Sequence, residues 1–259
     1  MVWHELPPAG PAPAPGPVKQ LSPLASAPAS SSGSDRSSPF EETALTTDRF
    51  PDLARVGTAV IGTRHVGGPD RQQPAVDAEV QAVDCAPPPH GLDAVSWFAS
   101  TDGETVLSLA QWESTVTYDA FVRDGGYAAP LAGPPDYRLY HSLAERDETR
   151  VPGCLITAAF DVDGPERQRS FTDAVLAVQP EEGGHPGAIS AHFLHSTDGS
   201  RVLLYTEWTS VEAHQEAAEA GDHDKGHEIF SGTPGVRLTH GGRWHLCHAL
   251  RLTRERTAG

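Results

Sequence analysis

The chain has 259 residues and carries 35 acidic against 19 basic side chains, a formal net charge of −16. That balance repels phosphate backbones and anionic lipid heads, and excludes nucleic acid and membrane surfaces as partners. No apolar run approaches the roughly 18 residues a spanning helix needs, the first 49 residues lack the basic start and apolar stretch of a secretory signal, and Cys85, Cys154 and Cys247 are too scattered for a disulfide framework. A cytoplasmic location is expected.

In chain order, residues 1–50 come first as an arm. Pro, Ala, Ser and Gly dominate from Pro7 to Pro39, with too little apolar content to offset the entropy of ordering, which predicts a disordered or polyproline-like segment. A strand is expected over Val56–Thr63. The helix after it places Val76, Val80 and Val83 on one face, its start delayed by Pro74. Two strand-like runs, Val95–Ala99 and Thr105–Trp112, flank Asp102-Gly103, a strong hairpin signal. A helix near Val116–Val122 and a strand over Tyr137–Leu143 complete the series.

The same series then returns. Leu155–Val162 reads as a strand, Pro165-Glu166 opens a helix with Phe171, Val175 and Val178 on one face, and Ile189–His195 and Arg201–Trp208 flank Asp198-Gly199. A helix over Val211–Ala220 and a strand from Val236 follow. The recurrence is a duplication: Ser100-Thr101-Asp102-Gly103 falls on Ser196-Thr197-Asp198-Gly199, a shift of 96 residues, which also carries Gly57, Gln72, Trp112 and Ser114 onto Gly153, Gln168, Trp208 and Ser210. Beyond the second helix the shift becomes 99, carrying Arg138 onto Arg237 and His141 onto His240, so the second copy gains three residues near 221–227. The fold class is α+β: two ferredoxin-like βαββαβ repeats, over 51–148 and 149–253 with a tail at 254–259, packed by their bare sheet faces.

The stretch from Ser100 to Ser114, Ser-Thr-Asp-Gly-Glu-Thr-Val-Leu-Ser-Leu-Ala-Gln-Trp-Glu-Ser, resembles the hairpin of the antibiotic biosynthesis monooxygenases of polyketide pathways, and Ser196 to Ser210 does so less closely. Joined to the repeat, the resemblance covers about residues 55–250. It implies a dimeric α/β barrel formed within one chain, with a cleft between sheet and helices in each repeat. It further implies cofactor-independent oxidation of an aromatic polyketide, an anthrone- or naphthol-type phenol, with molecular oxygen as co-substrate and no metal. A homodimer of the tandem chain is compatible with it. The alternative on the same fold is a non-redox polyketide cyclase or ligand-binding protein.

Quinone-forming members of that family place an Asn four residues before a Trp and a Tyr six after it. The matching positions make Ser108, Trp112 and Tyr118 the candidate catalytic residues, Ser108 standing where the family has Asn. In the second copy the positions hold Leu204, Trp208 and His214, a greasier cleft whose candidate base is His214. Trp208, His214, His192 and Arg138 are the candidate substrate-binding residues. Both tryptophans can equally be core residues packed under a helix. His192 and His195, three apart on a strand, face opposite ways. His223 and His227 with Asp222 and Asp224 outline one edge of a metal site, but Gly221 and Gly226 favour a solvated loop there. No phosphate loop, nucleophile elbow or HExxH motif occurs.

Overall fold

A computed structural model describes residues 40–47, 49–53, 56–126, 136–144, 148–178, 184–221 and 224–256. The first strand, β1 (Phe40–Thr47), precedes the repeats. The first repeat runs β2 (Thr58–His65), α1 (Pro69–Asp84), β3 (Leu92–Ser100), β4 (Thr105–Trp112), α2 (Thr115–Arg123) and β5 (Asp136–Ala144). The second runs β6 (Cys154–Val162), α3 (Pro165–Ala177), β7 (Ala188–Ser196), β8 (Arg201–Trp208), α4 (Val211–Ala220), α5 (Asp224–Gly232) and β9 (Val236–Arg256).

The strands close on themselves. Following hydrogen-bonded neighbours gives β9-β3-β4-β2-β5-β7-β8-β6, and β6 pairs again with β9. The last strand of each repeat makes the closure. β5 touches its own β2 only at Ala59–Tyr137 and Val60–Asp136, then crosses to β7 through Ala144. β9 pairs with its own β6 from Val236 to Trp244 and with β3 from Trp244 to Arg251. The bare sheet faces enclose a shared core of Ala59, Phe98, Leu107, Leu109, Tyr137, Leu155, Leu194, Leu203, Tyr205 and Trp244, drawn from both repeats. Each repeat's helices cover its outer face. The arrangement is two ferredoxin-like units forming one α/β barrel, and neither sheet could bury both faces alone.

The duplicated residues explain this local fold. Gly103 and Gly199 take φ of +82° and +79° at the hairpin tips, where a side chain would be strained. Asp102 and Asp198 accept the backbone N–H of Glu104 and Ser200 at 2.9 Å. Buried Gln72 donates to the carbonyls of Ser100 and Thr105 at 3.0 and 2.9 Å, and Gln168 does the same to Ser196 and Arg201 at 3.0 and 2.7 Å, pinning each first helix to its hairpin. Ser114 and Ser210 cap α2 and α4, contacts of about 1 kcal/mol each. A Cβ on Gly57 or Gly153 would collide with the carbonyl oxygen of Glu113 or Thr209. These shared glycines, glutamines, aspartates and serines therefore serve the fold.

Three expectations are corrected. Residues 40–47, assigned to the arm, form β1 against the end of β9, Phe40 opposite Arg256 and Thr47 opposite Ala249, which also carries residues 254–256 of the tail into a strand. The reason is length: β9 spans 21 residues and outruns the barrel, leaving an edge that accepts another strand. The rest of the arm, residues 1–39, lies outside the described residues. Pro74 does not delay α1, which starts at Pro69, where proline fits the first helical position; Pro74 sits inside the helix and gives up one backbone donor. The segment expected as a solvated loop is helical from Asp224, because Ile229 and Phe230 pack on the second repeat's core and that burial outweighs the low helix propensity of Gly226.

A chain starting at residue 49 should keep the barrel, since β1 is not among the eight closing strands. Its melting temperature should stay within about 5 °C of the full chain, as about 1 kcal/mol moves the midpoint by about 2–4 °C at this size. A larger drop by calorimetry would show that β1 supports the closure.

Candidate active site

Strand alternation divides β4 between two environments. Leu107 and Leu109 enter the barrel core, while Ala110 and Trp112 face the helices with Tyr118 of α2, and Ser108 shares their side by its period of two. Trp112 is fully buried and Tyr118 nearly so. Their rings meet edge to face at 5.6 Å, with Phe121 at 5.0 Å on the indole. The structure thus brings Trp112 and Tyr118 together on the helix side of the first sheet.

Ser108 lies between Gly62 on β2 and Trp97 on β3. A Cβ on Gly62 would stand 3.4 Å from the Ser108 hydroxyl, in ordinary van der Waals contact, so the glycine leaves that hydroxyl uncovered by a side chain from β2. Along the same face run three polar side chains that sequence reasoning missed. Trp97, wholly buried, donates its indole N–H to Glu79 of α1 at 2.8 Å, and Glu79 pairs through its other oxygen with Arg64 at 2.8 Å. Arg64 also donates to the Ala75 carbonyl at 3.1 Å. A half-exposed arginine is thereby tied to a buried indole through one carboxylate.

The second repeat answers each of these positions with an apolar group. The shift of 96 residues places Ala158, Leu204 and Phe193 where Gly62, Ser108 and Trp97 stand, and Phe160, Phe171 and Val175 where Arg64, Ala75 and Glu79 stand. Phe160 and Phe171 lie 5.0 Å apart, and Phe230 of the extra helix α5 packs at 4.7 and 5.8 Å from them. Nearer the strand end, Trp208 meets His214 at 5.0 Å and His185 at 5.8 Å, and its indole N–H is donated to Thr206 at 3.0 Å.

The remaining candidates do not join them. His192 points into the barrel, its Nδ1 2.8 Å from the Ser142 hydroxyl and its ring 5.9 Å from Tyr205, whereas Trp208 and His214 lie on the helix side. Burial holds the His192 imidazole down at about 4, so it is neutral near pH 7. Arg138 is exposed on β5, opposite His195. His195 faces α3, hydrogen-bonded to Thr172 at 2.9 Å and stacked on Tyr140 at 4.2 Å. Burial, with Arg169 beside it, also holds His195 down at about 4. His223 lies outside the described residues, and among the described residues no group of three His, Cys, Asp or Glu side chains is placed to hold a metal.

Residues 155–229 match the family model described as antibiotic biosynthesis monooxygenase. That match lies within the second repeat. Among solved structures, an anthrone oxidase-like protein shares 14% identity with a TM-score of 0.57, over 80% of this chain and 95% of its own. At that identity the likeness establishes the fold. A monooxygenase-like protein from Listeria innocua (13% identity, 75% of this chain, 96% of its own, TM-score 0.45) and a heme-degrading enzyme from Listeria monocytogenes (13%, 73%, 98%, 0.42) are also similar. No curated protein matches the chain. Among the described residues no helix is long and apolar enough to cross a membrane.

Arg64, Glu79 and Trp97 could have been found in the sequence. The gap-free repeat sets a charged residue against an aromatic or aliphatic one at 64/160 and 79/175, and such a mismatch between copies of one fold marks where their tasks differ.

Proposed function

We propose that the first cleft is a cofactor-independent monooxygenase site for an electron-rich aromatic polyketide, an anthrone- or naphthol-type phenol, in antibiotic biosynthesis, and that the second cleft is structural. The observation that carries this reading is the contrast between copies: Gly62, Ser108 and the Arg64–Glu79–Trp97 chain in one, a phenylalanine cluster in the other. A working cleft needs space and polar groups, and a scaffold needs neither. The name of the anthrone oxidase-like relative guides the choice of substrate.

In the reaction proposed, the methylene of an anthrone becomes a carbonyl. One atom of dioxygen enters the product, the other leaves with the two methylene hydrogens as water, and the substrate supplies all the electrons. The chain's tasks are to hold the phenol as its anion, exclude water and keep dioxygen against the ring. Tyr118 and Trp112 flank the substrate, Ser108 hydrogen-bonds its oxygen, and Arg64, set by Glu79, supplies positive charge to the phenolate. The protein would work in the cytoplasm, and a homodimer of the tandem chain is compatible with it.

An oxygen electrode decides between this and the cyclase reading. Purified protein given anthrone without additives should consume one dioxygen per quinone formed. Exhaustive chelation should leave that rate unchanged; loss restored by one particular metal would overturn the cofactor-independent reading. A cyclised product with no oxygen uptake would establish the cyclase instead.

A further inference from the structure

The inner faces of the two hairpins differ. In the β7–β8 ladder Ser190 stands opposite Glu207 and His192 opposite Tyr205, four polar side chains on the barrel side, each at most 9% exposed. The matching ladder of the first repeat sets Ala94 opposite Gln111 and Ser96 opposite Leu109, and Gln111 gives its amide to the Asp52 carbonyl at 3.1 Å. At the barrel mouth beside Glu207 opens a cavity of about 230 Å³, lined by Ser190, His192 and Glu207 and by the apolar side chains of Leu53, Pro152 and Ile189.

This cavity offers hydrogen-bonding capacity rather than charge. The ions on its wall are engaged: Arg150 holds Glu148 through Nε at 2.9 and 3.0 Å and the Ala188 carbonyl at 2.8 Å, and Asp52 is exposed with partners of its own. His192 uses Nδ1 on the Ser142 hydroxyl, and Ser190 donates to Oε2 of Glu207, both at 2.8 Å. Nε2 of His192 and Oε1 of Glu207 have no hydrogen bond among the described residues, although both side chains line the cavity and are more than nine-tenths buried. Deeper in the barrel the Tyr205 hydroxyl is buried, again with no partner among the described residues. Burial, aided by Asp52, pushes the Glu207 carboxyl up to about 7, and burial holds the His192 imidazole at about 4, so near pH 6 both are uncharged. A neutral carboxyl and a neutral imidazole each donate or accept at the remaining atom according to where the proton sits.

We propose that this barrel-mouth cavity is a second binding site, separate from both clefts and independent of the oxidation proposed above, for a small neutral hydroxyl compound. The hydroxyl would meet His192 Nε2 and Glu207 Oε1, and a compact apolar body would lie on Leu53, Pro152 and Ile189. A hydroxyl carries one donor and two acceptor positions, so it serves both atoms wherever their protons sit. An ammonium only donates and a carboxylate only accepts, and a hydrocarbon leaves both buried atoms unpaired. The volume falls below the roughly 300–1,000 Å³ of pockets for drug-sized ligands, which limits the guest to about one ring.

Amide chemical shifts of the full chain, titrated at pH 6 with benzyl alcohol, toluene, benzylamine and benzoate, test the proposal. Benzyl alcohol should bind at least about tenfold more tightly than the other three, with shifts centred on Ser190, His192 and Glu207 rather than on Ser108 to Tyr118 of the first cleft. His192→Leu and Glu207→Leu should each weaken the alcohol by at least about fivefold. Glu207→Gln should stay within about threefold of the parent chain, since its amide still accepts from Ser190 and offers an N–H to the guest. The comparison of guests uses the unaltered chain, so it decides the matter even where a leucine variant fails to fold. Equal binding of toluene, tighter binding of either ion, shifts centred on the first cleft, folded leucine variants that bind as the parent does, or no saturation by millimolar alcohol would each overturn it.

Discussion

Tyr118→Phe should lower the turnover of an anthrone by about 10²-fold, while His214→Ala at the matching position should change it by less than about threefold. Tyr118 is buried on the side of the first sheet that carries Ser108 and the Arg64–Glu79–Trp97 chain, and a hydroxyl that stabilises a developing oxyanion in such a site commonly contributes that factor. His214 stands against Trp208, whose indole N–H is already given to Thr206, in the repeat filled by Phe160, Phe171 and Phe230. Replacing Tyr by Phe removes one oxygen and no ring, so Trp112 and Phe121 keep their packing partner and the melting temperature should hold within a few degrees. Imidazole is intrinsically the better base near neutral pH, and that gives the comparison its force. If His214→Ala alone abolishes oxygen uptake, the second cleft is the active one and the assignment made from the polar contrast is wrong.

The order of elements was legible because each turn and cap is written in side chains that have few other uses. Asp-Gly at 102 and 198 marks the hairpins and Ser114 and Ser210 start helices, so β4, β8 and α4 fall where the pattern places them. Which face of a strand looks where was harder to read. In a barrel wrapped by helices both faces of the sheet are buried, and a period of two then separates His192 from His195 without telling which enters the barrel. Only the closure of β5 on β7 and of β9 on β3 decides it, and that closure joins segments far apart in the chain. β1 was missed because Phe-Glu-Glu-Thr-Ala-Leu-Thr-Thr shows no alternating apolar face and becomes a strand by borrowing the edge of β9. The Arg64–Glu79–Trp97 chain was missed for another reason: a charge on a helix or strand ordinarily reads as a solvated face, and here Glu79 is turned toward an indole beneath it.

Glu207→Gln should stabilise the protein at pH 8 by up to about 3 kcal/mol and have little effect at pH 4. In the folded chain the Glu207 carboxyl is raised from 4.5 to about 7, chiefly by burial and further by Asp52, so between those values the native state holds a proton that the unfolded state has released. Stability from this group is complete below about pH 4.5 and is lost as pH rises through about 7; each pH unit of that difference is worth about 1.4 kcal/mol. His192 works the other way. Its pKa is lowered from 6.5 to about 4 by burial, so its contribution is full above pH 6.5 and disappears as the pH falls toward 4. From pH 4.5 to 6.5 the Glu207 loss is offset by His192 and outweighed once His195, also held at about 4 by burial, is added, leaving the wild-type loss between about pH 6.5 and 8 as the visible signature of Glu207. Urea denaturation across pH 4 to 8 should show that loss in the wild type and not in Glu207→Gln, whose amide has a precedent in Gln111 at the equivalent place in the first repeat. A variant whose stability tracks the wild type at every pH would mean that Glu207 stays ionised in the barrel.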